Sequence, residues 1–410
     1  MSRFISVEDA LDHIVDHIPT TGAERVQLAD ARRRVLAAPV DAPEDSPRFD
    51  NSAMDGFALR FSDIETVPTT LDITGESAAG APSDATVGDG EAFRISTGAK
   101  LPDGADTVVR SELCEDREQT VVVNEQPGRA KGANIRRKAT YLAAGEPALD
   151  AGQRIGGAEI GMLVSFGRSV VSVYRRPTVA IISTGDELVE LGDTPGPGQI
   201  INSNAYMLEA LVAEHGGVPV VFPIAADRRD VVEETYRRAV NDCDLVVSTG
   251  GVSVGAHDHV GDVVDELTGG MTFWKVRMKP GKPLAFGSAD TSAGTVPLIG
   301  LPGNPGAAFV GFQLFVRPAV GTAQGIAPDE ATLPTVEATL TGSARGSRGR
   351  RAYLAGQLTH SDQGPRFHAF PHQSSGNPAL FANCNALGIV EQGRGELSAG
   401  DPLPVHLLRA

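Results

Sequence analysis

The sequence predicts a multidomain protein of the α/β plus β class, with a doubly wound α/β domain at its centre. In the second half of the chain, continuous apolar runs alternate with helical patterns, as in a parallel sheet with crossover helices. Short β-favouring stretches separated by Gly, Pro and Asp precede this region and also follow it. The 410 residues are enough for two to four domains, each with its own core.

The chain begins with a predicted amphipathic helix. Its apolar residues recur at helical spacing: Val7, Leu11, Ile14, Val15 and Ile18. Ser6 stands at the N-cap position, and Pro19 ends the helix. A second short helix is predicted over residues 30–38, ahead of two prolines.

Residues 55–137 predict a mainly β domain, because their short strand-like stretches alternate with turn residues. The predicted strands are 70–74, 91–95, 107–110 and 120–124. A helical pattern over 157–166 and one further strand lead out of this domain.

The central domain is predicted from four apolar runs that do not alternate, as expected of strands buried on both faces. These runs are 179–183, 218–224, 244–249 and 296–301. The predicted helices are 203–215, 230–240, 259–267 and 306–320. The remaining residues, 333–408, show short strands, turns and no convincing helix, which predicts a small β-barrel or sandwich.

Composition excludes several classes of function. A net charge of −16 argues against nucleic acid as a partner. No apolar run approaches the roughly 18 residues that a membrane helix needs. Three cysteines without CxxC spacing, and a start that lacks signal-peptide character, predict a reducing cytoplasm. Three of the six lysines fall within residues 275–282, which suggests cations that face an anion.

Three loops are predicted at the edge of the sheet where doubly wound proteins bind ligands. The first contains Thr184, Gly185, Asp186 and Glu187, whose oxygens suit hydrated Mg²⁺. A motif of this kind in isolation is more often a tight turn with helix-capping acids.

The second loop contains Gly250, Gly251, Val252 and Ser253, and its bare backbone N–H groups suit a phosphate. It continues to Asp258, which we interpret as a carboxylate directed at Mg²⁺. The third loop, Pro302, Gly303, Asn304 and Pro305, opens a helix whose N-terminus favours an anion. The segment Lys279-Pro280-Gly281-Lys282-Pro283 contains a second Pro-Gly turn, which we pair with this loop, and either turn alone would be read as an ordinary turn.

Seven stretches, in order, resemble the MoeA-type molybdopterin molybdenumtransferases, a family that includes the gephyrin E domain. The stretches are NSAMDGFA, RISTGAKLPDGAD, NIRRK, STGDEL, STGGVSVGAHD, FWKVRMKPGKP and GLPGNP. They keep the family's order and spacing from about residue 50 to residue 320, which makes the resemblance specific.

The resemblance implies an enzyme that takes adenylylated molybdopterin (molybdopterin-AMP) and molybdate, releases AMP with a divalent cation, and leaves molybdenum on the dithiolene. It also implies a homodimer whose active sites lie between subunits, and a possible adenylyltransferase partner. Four domains are predicted. They are a linking and dimerisation domain (1–45 and 139–174), a β-rich lid (46–138), a MogA/MoaB-like α/β domain (175–326) and a C-terminal β-barrel (330–410).

Site residues carried over from the family fall into three groups. Asp55, Thr97 and Arg136 would come from the partner's side of the site. Asp227, Lys275 and Lys279 would act from the α/β domain, with Glu187 and Asp258 holding Mg²⁺. Pro302, Pro305 and Ser375 would line the pocket.

Two departures from the family concern activity. Tyr141 stands where an acidic residue is common, and Ala355 stands where the family often has an Arg associated with oxyanion binding. Arg350 or Arg351 are candidates to replace that Arg. Three alternatives therefore stay open: a tungstate-using enzyme, a molybdopterin adenylyltransferase, and a non-catalytic molybdopterin carrier or scaffold.

Overall fold

The computed structural model describes residues 4–128, 131–251 and 259–408. The chain divides into two compact units. The first, here the large unit, comprises Met1–Ala38, Ala151–Ile160 and Val170–Ala410. The second, here the β unit, comprises Pro39–Asp150 and Gly161–Ser169. None of the helices in the described part of the chain combines the length and apolar character that crossing a bilayer needs.

A seven-stranded sheet forms the centre of the large unit. Its strands, in spatial order, are Phe4–Ile5, Phe273–Val276, Pro283–Thr291, Gly294–Leu301, Leu245–Thr249, Thr178–Ser183 and Val218–Val221. The last four pair in parallel, which confirms the four predicted strands. The strand Pro283–Thr291 runs antiparallel to Gly294–Leu301 and was not predicted.

The apolar runs are continuous because both faces of the sheet are covered. In the strand Thr178–Ser183, Val179 and Ile181 pack into one core, and Ala180 and Ile182 pack into the core on the other face. The helices that cover the first face are Val7–Val15, Ser203–Glu214, Pro305–Gly311 and Arg317–Ala323. Those that cover the second face are Arg229–Asp242 and His259–Leu267.

A widened helical turn joins two of these helices. Pro305–Gly311 and Arg317–Ala323 are connected by a π-helical turn, Phe312–Val316. The sequence predicted one uninterrupted helix here. Such π-helical turns are rare and often lie beside functional sites.

The C-terminal part of the large unit is a closed five-stranded barrel. Its strands are Thr335–Leu340, Arg351–Ser361, Gly364–Ala369, Ala386–Val390 and Pro402–Leu407. The barrel closes because Arg351–Ser361 pairs with both Gly364–Ala369 and Ala386–Val390. Two short helices, Pro328–Ala331 and Pro378–Ala382, are present where none was predicted.

The predicted helix over residues 30–38 is wrong. Only a 3₁₀ turn, Leu28–Asp30, forms there. The backbone beyond it bonds to distant segments, since Arg33 N donates to Ile155 O and Ala37 N donates to Ser172 O. The adjacent strand Ala23–Gln27 pairs with Val170–Tyr174, and helix Gly157–Ser165 confirms the prediction for that stretch.

The β unit contains a six-stranded sheet that includes all four predicted strands. In spatial order its strands are Thr107–Arg110, Gly56–Leu59, Glu91–Ile95, Thr69–Ser77, Thr120–Val123 and Cys114–Asp116. Two short pairs complete the unit: Asn51–Ser52 with Ile135–Arg136, and Val40–Asp41 with Pro147–Leu149.

Candidate functional site

The three predicted loops follow three neighbouring parallel strands of the large unit. Thr184 follows the strand Thr178–Ser183, Gly250 follows Leu245–Thr249, and Pro302 follows Gly294–Leu301. Carboxyl ends of parallel strands share one edge of a sheet, which is where doubly wound folds bind ligands. The structure therefore brings the loops together at the predicted edge.

Glycine lets these loops lie in contact. Gly250 has a φ of +89°, and a Cβ there would lie 2.6 Å from Thr184 O. Gly251 has a φ of +63°, and a Cβ there would lie 2.3 Å from Val260 Cγ2. Both positions need the left-handed backbone that glycine adopts at little cost, so the loop presents bare backbone rather than side chains.

Two asparagines that the sequence analysis missed hold the edge in place. The Asn204 Nδ2 group donates to Thr249 Oγ1 and to Gly303 O, both at 2.8 Å. Asn202 caps the helix Ser203–Glu214, and its Oδ1 also accepts from Ser183 Oγ at 3.1 Å. The sequence Asn-Ser-Asn at a predicted helix start was the available signal.

The loops enclose a cleft of about 540 Å³. Its walls include Thr184, Glu187, Gly250, Gly251 and the run Pro302–Pro305. Thr184 Oγ1 is buried without a hydrogen-bond partner in the described part of the chain. A buried hydroxyl without a partner is costly in a folded protein and points to a missing ligand.

A second cavity of about 370 Å³ adjoins this cleft and shares Pro283, Pro302 and Asn304 with it. It lies between the lysine-rich segment and the barrel, and we call it the cationic pocket. The cations that line it are Lys279, Lys282, Arg345 and Arg350. Among the described residues, no Asp or Glu lines this pocket. That is notable in a chain whose net charge is −16.

Arg350 and Arg351, the two candidates to replace the family's Arg, have different surroundings. Arg351 Nε contacts Glu391 Oε2 at 2.9 Å, and its Nη1 contacts Glu8. Burial lowers the pKa of Arg351, but bonds to Glu8, Tyr353 and Glu391 raise it overall. Arg350 lines the cationic pocket, and its Nη1 atom donates to Met278 O at 3.5 Å. Arg350 is thus the better-placed candidate, and Arg345 was missed.

A turn of the barrel supplies the polar wall of the cationic pocket. Ser375 lines it, and its carbonyl accepts from Gly306 N at 2.7 Å. Gln373 also lines it and bonds the backbone of Ala355. Ala355 itself is fully buried in the core, away from the pocket lining.

Other predicted residues of the large unit lie farther from these walls. Lys275 pairs across the sheet with Pro283 but lines neither cavity. Asp186 accepts from Asp227 N at 3.1 Å, so these two acids are neighbours outside the lining. Val252, Ser253 and Asp258 lie outside the described residues.

Magnesium was predicted from Glu187 and Asp258 together. Within residues 4–128, 131–251 and 259–408, His, Cys, Asp and Glu side chains form no cluster of three that would hold a metal ion. Glu187 is exposed at the cleft wall, which leaves it available to a solvated cation.

In the β unit, three predicted residues are linked by a few contacts. Asp55 Oδ1 accepts from Thr97 N at 2.7 Å. Arg136 Nη2 lies 3.5 Å from Ala53 O, and Arg136 pairs in the sheet with Asn51. The structure therefore brings Asp55 and Thr97 together, and it places Arg136 beside the segment 51–53 that leads to Asp55.

Arg136, Arg137 and Lys138 form a run of three basic residues in the β unit, and two of them are paired with carboxylates. Arg137 Nη1 contacts Asp50 Oδ2 at 2.6 Å, and Lys138 Nζ contacts Asp45 Oδ2 at 2.9 Å. Burial raises the pKa of Asp50, but bonds from Lys138 N and Arg137 outweigh it and lower the pKa overall. Arg136 has no carboxylate contact among the ion pairs of the described residues, so its charge is available to a ligand.

Three sequence families match successive parts of the chain. The MoeA N-terminal region (domain I and II) matches residues 5–167, and the probable molybdopterin binding domain matches residues 180–322. The MoeA C-terminal region (domain IV) matches residues 337–408. The second match contains all three loops of the cleft.

Relatives are similar over nearly the whole chain. The molybdopterin molybdenumtransferase of Nostoc sp. is 38% identical over 405 residues, covering 96% of this chain and 92% of that protein. The molybdopterin molybdenumtransferase of Haemophilus influenzae is 32% identical, covering 98% and 100%. The crystal structure of the molybdopterin biosynthesis moeA protein from Pyrococcus horikoshii OT3 has a TM-score of 0.85 and 26% identity, covering 98% of this chain and 100% of that one.

Proposed function

The chain belongs to the MoeA family of molybdopterin molybdenumtransferases, and from this membership we propose that it inserts molybdenum, taken up as an oxyanion, into adenylylated molybdopterin. AMP leaves, and the metal stays on the dithiolene of the pterin. Molybdate is the expected oxyanion, and tungstate is the alternative to be tested.

The cationic pocket carries this proposal. Lys279, Lys282, Arg345 and Arg350 surround a cavity that has no carboxylate among its described lining residues. Arg345 lies 3.9 Å from Glu396 Oε1 through its Nε atom, whereas Lys279, Lys282 and Arg350 have no carboxylate contact among the ion pairs of the described residues. Such cations attract a compact dianion, and fixed positive groups stabilise charge best in a site that excludes water. The Ser375 turn adds a polar wall for the oxyanion's oxygens.

The adjoining cleft is the proposed seat of the pterin nucleotide. Backbone N–H groups at Gly250 and Gly251, and the N-terminus that follows Asn304, favour phosphate. Because the cleft and the cationic pocket share Pro302 and Asn304, a substrate in the cleft would meet an oxyanion in the pocket.

Mg²⁺ fits the donors present in the cleft. Glu187 offers a carboxylate, and Thr184 offers a hydroxyl that has no partner within the described part of the chain. Mg²⁺ usually takes one or two carboxylates and completes its shell with water and substrate phosphates. When bound, the ion supplies polarisation of the pyrophosphate oxygens.

The family resemblance assigns Asp55, Thr97 and Arg136 to the site of a partner subunit in a homodimer. Their contacts in the β unit support this assignment, since Asp55 orients the Thr97 backbone and the Arg136 charge is uncommitted. Lys275 and Asp227 would act from the large unit. The enzyme is proposed to be cytoplasmic and to take its substrate from an adenylyltransferase.

The test is AMP release by the purified protein from adenylylated molybdopterin, with Mg²⁺ and either molybdate or tungstate. We expect release that depends on the oxyanion and on Mg²⁺, together with formation of active cofactor. Glu187→Gln should abolish the Mg²⁺-dependent release of AMP. Glu190→Gln, the same change at an exposed residue outside the cleft lining, is the control. Tight binding without AMP release would contradict the transferase proposal and favour a carrier.

A further inference from the structure

A third cavity of about 320 Å³ lies in the large unit, beside the starts of the helices Ser203–Glu214 and Pro305–Gly311, which also border the cleft. We call it the rear pocket. Its apolar wall includes Met207, Leu211, Phe309 and Phe381. Its size falls within the range of small-molecule sites.

Three elements build this pocket, each through one face. Helix Ser203–Glu214 contributes Met207 and Leu211, four residues apart. The helix beginning at Pro305 contributes Phe309, and the short barrel helix Pro378–Ala382 contributes Phe381. The Phe309 and Phe381 ring centroids are 5.4 Å apart and inclined by 43°, which offers aromatic surface to a flat ligand.

Phe381 can lie there because residue 306 is glycine. A Cβ on Gly306 would stand 2.0 Å from Phe381 Cε2. The ring also lines the cationic pocket, so it separates the two cavities.

The amide oxygen of Gln313, which lines the rear pocket, has no hydrogen-bond partner among the described residues. Gln313 is 4% exposed and lies in the π-helical turn Phe312–Val316. Its Oε1 is buried without a hydrogen bond among the described residues. Leaving a buried amide oxygen unpaired destabilises the folded protein. Rotation about the soft terminal torsion presents either end of the amide to the cavity.

We propose that the rear pocket is a second small-molecule site, which takes a neutral bicyclic heterocycle carrying a lactam edge. The aromatic walls hold the ring system, and the end of the Gln313 amide that faces the cavity hydrogen-bonds to the lactam edge. Exposed Glu214 lines the same pocket and repels phosphate, so an uncharged ligand is favoured over a nucleotide.

The rear pocket also touches the proposed substrate site. Ser203, Asn204 and Pro305 line both the rear pocket and the cleft. Asn204 holds Thr249 and Gly303 in the cleft. A ligand in the rear pocket would therefore contact residues that also shape the cleft. The inference itself does not depend on the transferase reaction.

Isothermal titration calorimetry of the purified full-length protein tests the inference, with hypoxanthine as the lactam probe and indole as a bicyclic probe that lacks the lactam carbonyl. We expect one hypoxanthine per chain, bound at least tenfold more tightly than indole. Gln313→Leu should weaken hypoxanthine binding at least tenfold, and Gln363→Leu, the same change at an exposed barrel turn, should not.

Absence of hypoxanthine binding by the wild type would overturn the inference, as would equal binding by Gln313→Leu. Equal binding would place the probe in the cleft instead. If Gln313→Leu does not fold, Ala382→Trp decides, because this exposed lining residue can block the mouth without entering the core. Either of these results would leave the measured AMP release unchanged, so failure of this inference is distinguishable from failure of the proposed function.

Discussion

The side chain of Gln373 brackets the backbone of Ala355. Gln373 Oε1 accepts from Ala355 N at 2.9 Å, and Gln373 Nε2 donates to Ala355 O at 2.9 Å. The same Nε2 group donates to Phe370 O at 2.8 Å. One amide thus fixes the turn that carries Ser375 against the barrel strand beside the cationic pocket.

Replacing Gln373 by Leu should loosen this turn. Three hydrogen bonds are lost, each worth about 1 kcal/mol, so the free energy of unfolding should fall by about 2–3 kcal/mol. The KM for the oxyanion should rise several-fold, because Ser375 loses its fixed position. Urea unfolding and steady-state AMP release measure the two effects. An unchanged KM in a destabilised variant would show that the turn has no part in binding.

Ala355→Arg should not restore an oxyanion site, although the family often has Arg at this position. Ala355 is fully buried in the apolar core, and an unpaired charge placed there is strongly destabilising, by more than about 4 kcal/mol. We expect aggregation or a large loss of thermal stability. A stable Ala355→Arg variant with a lower oxyanion KM would contradict the assignment of that role to Arg350.

Arg350→Ala should raise the KM for the oxyanion by about 10- to 100-fold, since a charge-assisted hydrogen bond contributes about 1.5–3 kcal/mol. Arg348→Ala removes the same charge from an exposed position two residues away that does not line the pocket. The control should leave the KM nearly unchanged. Equal effects of the two changes would indicate a diffuse field instead of a binding contact.

The pattern of the sequence predicted the core of the fold because that core follows simple periodicities. Buried parallel strands such as Thr178–Ser183 are apolar on both faces, and amphipathic helices such as Val7–Val15 show their spacing directly. The helix predicted over residues 30–38 was wrong because the backbone there bonds to residues distant in sequence, which a local periodicity does not reveal.

The candidate site was predicted unevenly for a similar reason. The glycine-rich loop at a strand end that contains Gly250 and Gly251 can be recognised from the local sequence alone. Arg345, Gln373 and Asn204 act through contacts with residues remote in sequence, so only the folded chain reveals them. The four predicted domain ranges stay a prediction.

Acid should weaken the large unit through two partly buried histidines, His406 and His215. Burial lowers the pKa of His406 to about 4, with a further effect from Arg351 and Arg317. Burial likewise lowers the pKa of His215 to about 4. Between pH about 6.5 and 4 the unfolded chain binds protons that the folded chain does not. Stability is therefore complete above pH 6.5 and is lost as the pH falls towards 4.

His406→Phe should flatten this decline while keeping a ring beside Tyr353, whose centroid lies 6.0 Å from that of His406. Between pH 7 and pH 5 the wild type should lose about 1–2 kcal/mol more unfolding free energy than the variant. Urea unfolding at both pH values measures it, with exposed His360→Phe as the control. Parallel declines in wild type and His406→Phe would contradict the expected protonation.

The substitution Thr184→Val tests whether the Thr184 hydroxyl serves a ligand or the stability of the fold. Thr184 Oγ1 is buried and has no partner among the described residues, so removing it should leave the free protein equally stable or more stable by up to about 1 kcal/mol. The KM for the pterin nucleotide or for Mg²⁺ should nevertheless rise, because Thr184 lines the cleft beside Gly250 and Gly251. Thr178→Val is the matched contrast, since Thr178 Oγ1 donates to Asp244 Oδ2 at 2.7 Å. That change should cost about 1–2 kcal/mol of stability and leave the KM unchanged. If Thr184→Val instead destabilises the free protein and spares the KM, its hydroxyl serves the fold and not the ligand.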